Sequence, residues 1–274
     1  MMMMFASDLD RTLIYSERAL SEMGTPLNES MVPVERLKGN YISYMKIDAL
    51  RKLKELASQL QFVPVTTRTY EQYKRIFIFE ENIPITYSVT SNGANIHYKG
   101  EILSDWTKEV QVKLAEQCIE KEKLMELVNG QALPGSMKIA DDLFFYYILE
   151  QQITSETKKL IGKIASENGW KVSLQGRKLY FMPAPVCKGE AVKFIQKREG
   201  IKITAGAGDS LLDFPLLDAC THAWMPKHGE LADEVRDANR YNLTNFSGAD
   251  AGEEIIETVH RLYKRSATPL LENL

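Results

Sequence analysis

Two aspartates one residue apart follow the first hydrophobic run of the chain, and this spacing constrains the fold more than any other feature. Residues 3–7 read MMFAS and are followed by Asp8-Leu9-Asp10-Arg11-Thr12. Side chains alternate along a strand, so Asp8 and Asp10 point the same way and repel each other unless a cation lies between them or one keeps a proton. The pattern predicts a strand that places two carboxylates at its carboxyl end. Alternatively, one aspartate caps a helix and the other belongs to a turn.

Composition places the chain among globular enzymes and disfavours two classes of partner. The 274 residues carry a net charge of −3, with no basic excess that would favour a nucleic-acid backbone. The apolar stretches are much shorter than the ~20 residues that span a bilayer, so no membrane segment is expected. Residues 1–4 lack the basic and long apolar regions of a secretory signal, and the three cysteines show no paired spacing. We therefore expect a cytoplasmic protein with reduced cysteines.

Segments that read as strands alternate with helical patterns over the first hundred residues, which is typical of a parallel sheet with crossover helices. In order, the patterns predict an irregular stretch over 22–41, a helix over 47–60, a strand over 61–65, a helix over 70–81, a short strand region over 83–91, a turn over 91–94 and a hairpin over 95–102.

The order changes after residue 105 and returns near residue 184. Between them the patterns predict a long helix over 106–128, a turn over 129–136, a strand over 143–149, a helix over 155–168, and strands over 170–174 and 178–182. We interpret 103–183 as an α+β domain inserted into an α/β domain formed by 1–102 and 184–274. The second half of that domain is predicted to contain a helix over 189–197, a strand over 201–206, a helix ending at 219, a strand over 223–225 and a helix over 251–264.

A second pair of aspartates follows the strand predicted over 201–206, in the segment GDSLLD at residues 208–213. Asp209 would lie in the loop and Asp213 one helical turn further, so both can point at one place. An N-cap beside a surface acid is the alternative. Together with Asp8 and Asp10, however, the carboxylates indicate a divalent cation held by oxygen ligands, and Mg²⁺ suits such ligands best.

A phosphate substrate beside four carboxylates would require positive and hydrogen-bonding groups opposite them. Thr66 ends the strand predicted over 61–65, where its hydroxyl and the following N–H groups can hold phosphoryl oxygens. Lys188 precedes a predicted helix and can place its charge between a carboxylate and a phosphate. Taken singly, either residue reads as a helix cap or a solvated side chain. Both residues lie in the sequence between the two aspartate pairs, and this arrangement favours a functional role.

Four segments, in this order, resemble the motifs of haloacid dehalogenase superfamily phosphatases: DLDRT at 8–12, TTR at 66–68, KG at 188–189 and GDSLLD at 208–213. The segment SNGA at 91–94 further resembles the Cof-like and sucrose-phosphatase-like branch. This resemblance implies a Rossmannoid core, in which a parallel sheet is flanked by helices. It also implies that the insert is a cap domain of the C2 class, in its smaller C2B form.

The resemblance implies a role for each matched residue. Asp8 would be the nucleophile that forms an aspartyl-phosphate, and Asp10 the acid that protonates the leaving alcohol and then activates water. Thr66 and Lys188 would balance charge on the transferring phosphoryl group. Mg²⁺ would be bound by Asp8, the Asp10 carbonyl, Asp209 and, directly or through water, Asp213. Further substrate contacts would come from Thr12, Thr67, Arg68, Arg11, Asn92 and Gly93.

The expected function is Mg²⁺-dependent hydrolysis of a small phosphorylated metabolite, such as a sugar phosphate. A phosphomutase of the phosphomannomutase type uses the same aspartyl-phosphate and remains an alternative, as does a non-catalytic ligand sensor on the same fold. Three positions depart from the family pattern. Arg11 and Thr67 replace glycines, and Leu212 replaces an asparagine. Arg11 would bring an extra cation near the entrance of the site or, alternatively, turn its side chain to solvent. These departures leave the chemistry in place and concern the choice of substrate.

Overall fold

The computed structural model of the protein describes residues 2–234 and 240–267, in two compact units. Unit 1 comprises residues 1–102 with 188–274, and unit 2 comprises residues 103–187. The chain passes from unit 1 to unit 2 at 102/103 and returns at 187/188, so residues 184–187 cluster with unit 2. The assignment of 103–183 as an inserted domain stays a prediction.

The elements run as follows in chain order. Unit 1 begins with β1 (Met3–Ser7), α1 (Glu17–Glu22), β2 (Met31–Leu37), β3 (Asn40–Lys46), α2 (Ile47–Gln59), β4 (Gln61–Pro64), α3 (Tyr70–Tyr73), α4 (Ile78–Glu81), β5 (Tyr87–Thr90), β6 (Asn95–Tyr98) and β7 (Glu101–Ile102). Unit 2 contains α5 (Ser104–Gln117), α6 (Lys121–Asn129), β8 (Gly135–Ala140), β9 (Phe144–Leu149), α7 (Ser155–Glu167), β10 (Trp170–Gln175) and β11 (Lys178–Pro183). Unit 1 continues with α8 (Lys188–Glu199), β12 (Ile203–Ala207), α9 (Phe214–Asp218), β13 (His222–Met225), α10 (Glu230–Glu234), β14 (Asn242–Leu243) and α11 (Gly248–Ala267).

Unit 1 is built on a parallel sheet in the order β14-β13-β12-β1-β4. Every residue of β1 is buried, so this strand is covered on both faces, and the apolar sequence of residues 3–6 follows from that position. Helices α2 and α11 bury Leu53, Leu56, Ile255 and Val259 in the same core as Phe5. This is the parallel sheet flanked by helices that the sequence predicted.

The prediction of an irregular stretch over 22–41 is partly wrong. Strands β2 and β3 form an antiparallel hairpin there, with the turn at Lys38 and Gly39 in the left-handed region of backbone conformation. The apolar residues Val32, Val34 and Met45 were the signal for strands. Glycine and proline around them masked that signal.

Two predicted helices are also interrupted. The helix over 70–81 is two short turns, α3 and α4, and the helix over 106–128 is α5 and α6, which are separated at residues 118–120. The N–H of Ile119 donates to the carbonyl of Asn168, so contact with a distant residue breaks the helix there. The turn predicted over 129–136 ends in an additional strand, β8.

Unit 2 is an antiparallel sheet in the order β10-β11-β9-β8, with α6 and α7 contributing buried residues to its core. Phe145 and Phe181 stack with ring centroids 4.7 Å apart on its buried face. The unit is therefore α+β, as expected for the insert. No helix within residues 2–234 and 240–267 is long and apolar enough to cross a membrane.

Candidate active site

Three neighbouring strands of unit 1 end at one edge of the sheet, and each is followed by a predicted site residue. Asp8 follows β1, Asp209 follows β12 by two residues and Thr66 follows β4 by two residues. Backbone hydrogen bonds extend past the strand ends, from the N–H of Asp8 to the carbonyl of Ala207. Because carboxyl ends of parallel strands meet at one edge, the side chains of these residues converge.

Lys188 lies between two carboxylates at this edge. Its Nζ donates to Asp8 Oδ1 at 2.6 Å and to Asp213 Oδ1 at 2.5 Å, and only 1% of its side chain is exposed. Burial alone lowers the pKa of Lys188, but the charges of Asp213 and Asp8 outweigh it and raise the pKa above its ordinary value. The lysine is therefore a buried, permanently charged cation.

Helix α8, which starts at Lys188, packs very closely on α9. A Cβ built on Gly189 would lie 2.1 Å from the carbonyl oxygen of Pro215, so the approach requires glycine. This contact explains physically why a glycine follows the lysine. The close packing fixes the start of α8 and holds the ammonium of Lys188 between the carboxylates.

Asp213 folds back onto the loop that carries Asp209. Its Oδ2 accepts hydrogen bonds from the N–H groups of Asp209 and Ser210 and from the Ser210 hydroxyl, at 3.2, 3.0 and 2.9 Å. A Cβ on Gly208 would lie 2.3 Å from the Asp213 Cβ, so this fold requires the glycine. With Lys188 on its other oxygen, Asp213 already accepts four hydrogen bonds and is fully buried.

Asp8, Asp209 and Asp213 form a buried acidic cluster, whose carboxylate oxygens lie within 4.8 Å of one another. Burial, assisted by Asp213 and Asp10 and opposed by Lys188, raises the pKa of Asp8 to about 7. Burial and the charges of Asp8 and Asp213 also raise the pKa of Asp209. Carboxylates crowded in this way favour either a proton or a cation, and an oxygen-only cluster suits Mg²⁺.

Arg11 adds a second positive group beside the cluster. Its Nε lies 3.7 Å from Asp209 Oδ2, and its Nη1 lies 3.9 Å from a Glu22 oxygen. The backbone has φ of 63°, a left-handed conformation that favours glycine, and its carbonyl accepts a hydrogen bond from His228 at 2.8 Å. The replacement of the family glycine therefore keeps the backbone shape and places a cation near Asp209.

The hydroxyl groups and the turn that were predicted to contact substrate lie around the same edge. Thr12 donates to Asp8 Oδ2 at 3.3 Å, and Thr66 Oγ1 accepts from the N–H of Arg68 at 3.1 Å. The N–H of Asn92 donates to the Thr66 carbonyl at 3.0 Å. Among the described residues, the buried amide oxygen of Asn92 accepts no hydrogen bond. Thr67 is half-buried in this loop, next to Arg68, and Gly93 follows Asn92 in the turn.

Asp10 binds a residue that was predicted to contact substrate. Arg68 donates from Nε and Nη2 to the two Asp10 oxygens, both at 2.7 Å. The same guanidinium binds Glu35, a buried residue of β2 that sequence reasoning missed because it fell in the stretch expected to be irregular. The available signal was an acidic residue directly after the apolar Val34 in a strand of the hairpin.

Comparison with known proteins agrees with this geometry. A profile of the haloacid dehalogenase-like hydrolases matches residues 5–133. No curated protein sequence matches the chain. The sucrose-phosphatase of Synechocystis sp. PCC6803, solved with sucrose and phosphate, superimposes with a TM-score of 0.69 at 16% identity, covering 94% of this chain and 98% of that one.

Two further solved structures share the fold. A sugar phosphatase of haloacid dehalogenase subclass IIB has a TM-score of 0.63 at 13% identity, covering 96% of this chain and 100% of its own. The Thermoplasma acidophilum protein 0175 has a TM-score of 0.60 at 13% identity, covering 94% and 98%. These likenesses confirm the predicted core architecture, while the C2B form of the insert stays a prediction. The family profile over residues 5–133 and these shared folds make the chain similar to the haloacid dehalogenase-like hydrolases.

Proposed function

We propose that the protein is a Mg²⁺-dependent phosphomonoester hydrolase that acts on a small phosphorylated metabolite. The observation that carries this proposal is the contact of Lys188 with Asp8 and Asp213, inside a cluster that also holds Asp209. A buried lysine beside a strand-end carboxylate can neutralise a phosphoryl group while that carboxylate attacks it.

In the first step, Asp8 attacks phosphorus and the bond from phosphorus to the alcohol oxygen breaks. Asp10 gives its proton to that oxygen and becomes a carboxylate. In the second step, water attacks the phosphorus of the aspartyl-phosphate and gives a proton to Asp10, which frees Asp8 and inorganic phosphate. Two carboxylates with separate tasks thereby divide one difficult displacement into two.

The acidic cluster fits a bound Mg²⁺. Asp8 and Asp209 would be its carboxylate ligands, with the Asp10 carbonyl. Asp213, whose oxygens already accept hydrogen bonds from Lys188 and the 209–210 loop, would act through those bonds or through water. When bound, the ion supplies positive charge that keeps Asp8 ionised and offsets the charge of the phosphoryl oxygens.

The phosphoryl group would be held by groups at the ends of β4 and β1. The Thr66 hydroxyl and the N–H groups of residues 67 and 68 would bind its oxygens opposite Lys188. Arg11, Thr12, Asn92 and Gly93 complete the proposed substrate contacts. Unit 2 is proposed to select the substrate as a cap domain. Sugar phosphates are the first class to test, because two solved relatives are a sucrose-phosphatase and a sugar phosphatase.

The test is phosphate release from a panel of phosphorylated metabolites and p-nitrophenyl phosphate, with Mg²⁺ and with excess chelator. We expect release that depends on Mg²⁺ and is lost in Asp8→Asn. Release by Asp8→Asn at the wild-type rate would overturn the proposal. Slow net release of phosphate, in an enzyme that a sugar bisphosphate activates, would instead identify a phosphomutase.

A further inference from the structure

Glu35 is a buried carboxylate with no part in the chemistry proposed so far. It lies in β2 where the pairing with β3 is irregular, and only 2% of its side chain is exposed. A buried carboxylate is costly unless it is paired and hydrogen-bonded. Irregular pairing of this kind often turns a side chain toward a functional site. Here it turns Glu35 toward Arg68.

One guanidinium, that of Arg68, binds two carboxylates on two of its edges. Nη1 and Nη2 donate to the Glu35 oxygens at 2.7 and 2.9 Å. Nε and Nη2 donate to the Asp10 oxygens, both at 2.7 Å. Nη2 is shared, so the two carboxylates lie side by side on a single cation. This geometry couples the proposed acid of the reaction to a residue of the hairpin.

The two carboxylates differ in how easily they can leave Arg68. Glu35 is almost fully buried and also accepts a hydrogen bond from Ser43 Oγ at 2.5 Å. The Asp10 side chain is 47% exposed. Separating Arg68 from Glu35 would leave a buried charge unpaired, whereas Asp10 can turn toward water or substrate. Arg68 therefore stays with Glu35, and Asp10 is the partner that moves.

We propose that Glu35 is a positioning residue that fixes Arg68, so that Arg68 holds the Asp10 carboxylate between its two proton transfers. This inference rests on the proposed function. Both Asp10 oxygens accept hydrogen bonds in the observed pair, which is the arrangement of the carboxylate left after the leaving oxygen has taken its proton. Glu35 balances the charge of Arg68 and thus keeps the guanidinium from retaining Asp10 when the next proton must be delivered.

The test uses the difference between two leaving groups. A p-nitrophenolate departs without a proton, whereas an alkoxide needs one from Asp10. We compare kcat/KM of wild type, Glu35→Gln and Glu35→Asp on p-nitrophenyl phosphate and on the alkyl phosphate that wild type hydrolyses fastest. This ratio reports phosphoryl transfer to Asp8, the step in which the leaving group departs, whereas kcat also includes hydrolysis of the aspartyl-phosphate. Arg36→Gln is the matched control, since it removes one charge from the adjacent, exposed residue of the same strand.

Glu35→Gln should lower kcat/KM on the alkyl phosphate about tenfold or more, a modest part of a general-acid contribution, and should change kcat/KM on p-nitrophenyl phosphate less than about threefold. A loss of kcat common to both substrates is expected wherever hydrolysis of the aspartyl-phosphate limits turnover. Glu35→Asp, which keeps the charge, should recover part of the loss. Arg36→Gln should match wild type on both. Thermal unfolding of each variant verifies that it is folded.

Equal losses of kcat/KM on both substrates would assign Glu35 a structural role only and overturn the inference, as would a kcat/KM equal to that of Arg36→Gln. Should Glu35→Gln fail to fold, Arg68→Lys provides the same contrast between the two substrates. The single ammonium group of lysine cannot form paired hydrogen bonds to both carboxylates, as the guanidinium does. A wild-type enzyme inactive on both substrates would overturn the proposed function itself. If Asp10→Asn shows the leaving-group contrast and Glu35→Gln does not, the inference alone fails.

Discussion

The Nζ of Lys188 lies 2.6 Å from Asp8 Oδ1, although the two residues are 180 positions apart in the chain. The bond joins the first strand of unit 1 to the helix that begins where the chain returns to this unit. The ammonium is buried, and Asp213 is its second carboxylate partner. The charges that are proposed to act in catalysis therefore also form a buried ionic network of the fold.

Replacing Lys188 should destabilise the metal-free protein strongly. Lys188→Met leaves buried carboxylates without their cation, and removal of one partner of such a pair costs on the order of 3 to 5 kcal/mol. Denaturant unfolding at pH 8 in excess chelator measures the loss. The control Lys193→Met removes a lysine from the exposed surface of the same helix and should change the unfolding free energy by less than about 0.5 kcal/mol. Equal changes of unfolding free energy in the two variants would show that the ion pairs of Lys188 add nothing to stability.

The raised pKa of Asp8 predicts how metal-free stability depends on pH. Its value is about 7 in the folded protein against an ordinary 3.8, so the folded state binds a proton more tightly than the unfolded chain. The resulting stability is complete below about pH 4 and is lost as pH rises through 7. In chelator, Asp8→Asn should therefore be more stable than wild type at pH 8, by roughly 1 to 3 kcal/mol, because Lys188 keeps Asp213 as its partner and one excess buried negative charge is removed. The difference should shrink toward pH 4. A constant difference across this range would contradict the assignment.

Arg11 should weaken binding of Mg²⁺, because its guanidinium competes with the ion for Asp209. The side chain is half-exposed, so solvent screening limits the effect to about 0.2 to 1 kcal/mol. Arg11→Gly should lower the Mg²⁺ concentration for half-maximal activity by up to about fivefold. Arg18→Ala, at an exposed arginine paired with Glu22, is the control. An increased requirement for Mg²⁺ in Arg11→Gly would show that Arg11 assists the metal.

Tyr146 in unit 2 should influence which metabolite is hydrolysed. It lies opposite Tyr180 and Lys138 in the sheet, and Lys178 Nζ lies 5.9 Å from its ring centroid. This half-buried aromatic and basic face can contact a phosphorylated sugar. Tyr146→Ala should raise KM for the preferred metabolite about threefold to tenfold and leave p-nitrophenyl phosphate hydrolysis unchanged, since one aromatic contact is worth about 0.5 to 1.5 kcal/mol.

The control for this experiment is Tyr147→Phe, which lies on the same strand with its side chain on the opposite, buried face. Its hydroxyl donates to Asn129 at 2.8 Å within unit 2. We expect this variant to keep the wild-type ranking of metabolites. A change in ranking with Tyr147→Phe but not with Tyr146→Ala would place selection elsewhere.

The sequence predicted the strand ends well because each carries a local pattern. Asp8 and Asp209 follow short apolar strands, and Lys188 opens a helix, so neighbouring residues alone indicate where they lie. Glu35 could not be found in this way. Its burial depends on Arg68, which is distant in the sequence, and the proline and glycine of the hairpin conceal the strand pattern. Likewise, the break between α5 and α6 depends on Asn168, which a pattern over 106–128 cannot include.

The central claim is that Asp8 becomes phosphorylated. The direct measurement uses Asp10→Asn with p-nitrophenyl phosphate and Mg²⁺, because this variant should form the aspartyl-phosphate but hydrolyse it slowly. After an acid quench, borohydride reduces an acyl phosphate to homoserine, and mass spectrometry of the peptides locates it. We predict homoserine at position 8, dependent on substrate and absent from Asp8→Asn. Release of p-nitrophenolate and phosphate with no homoserine at position 8, or with homoserine at another aspartate, would contradict the account.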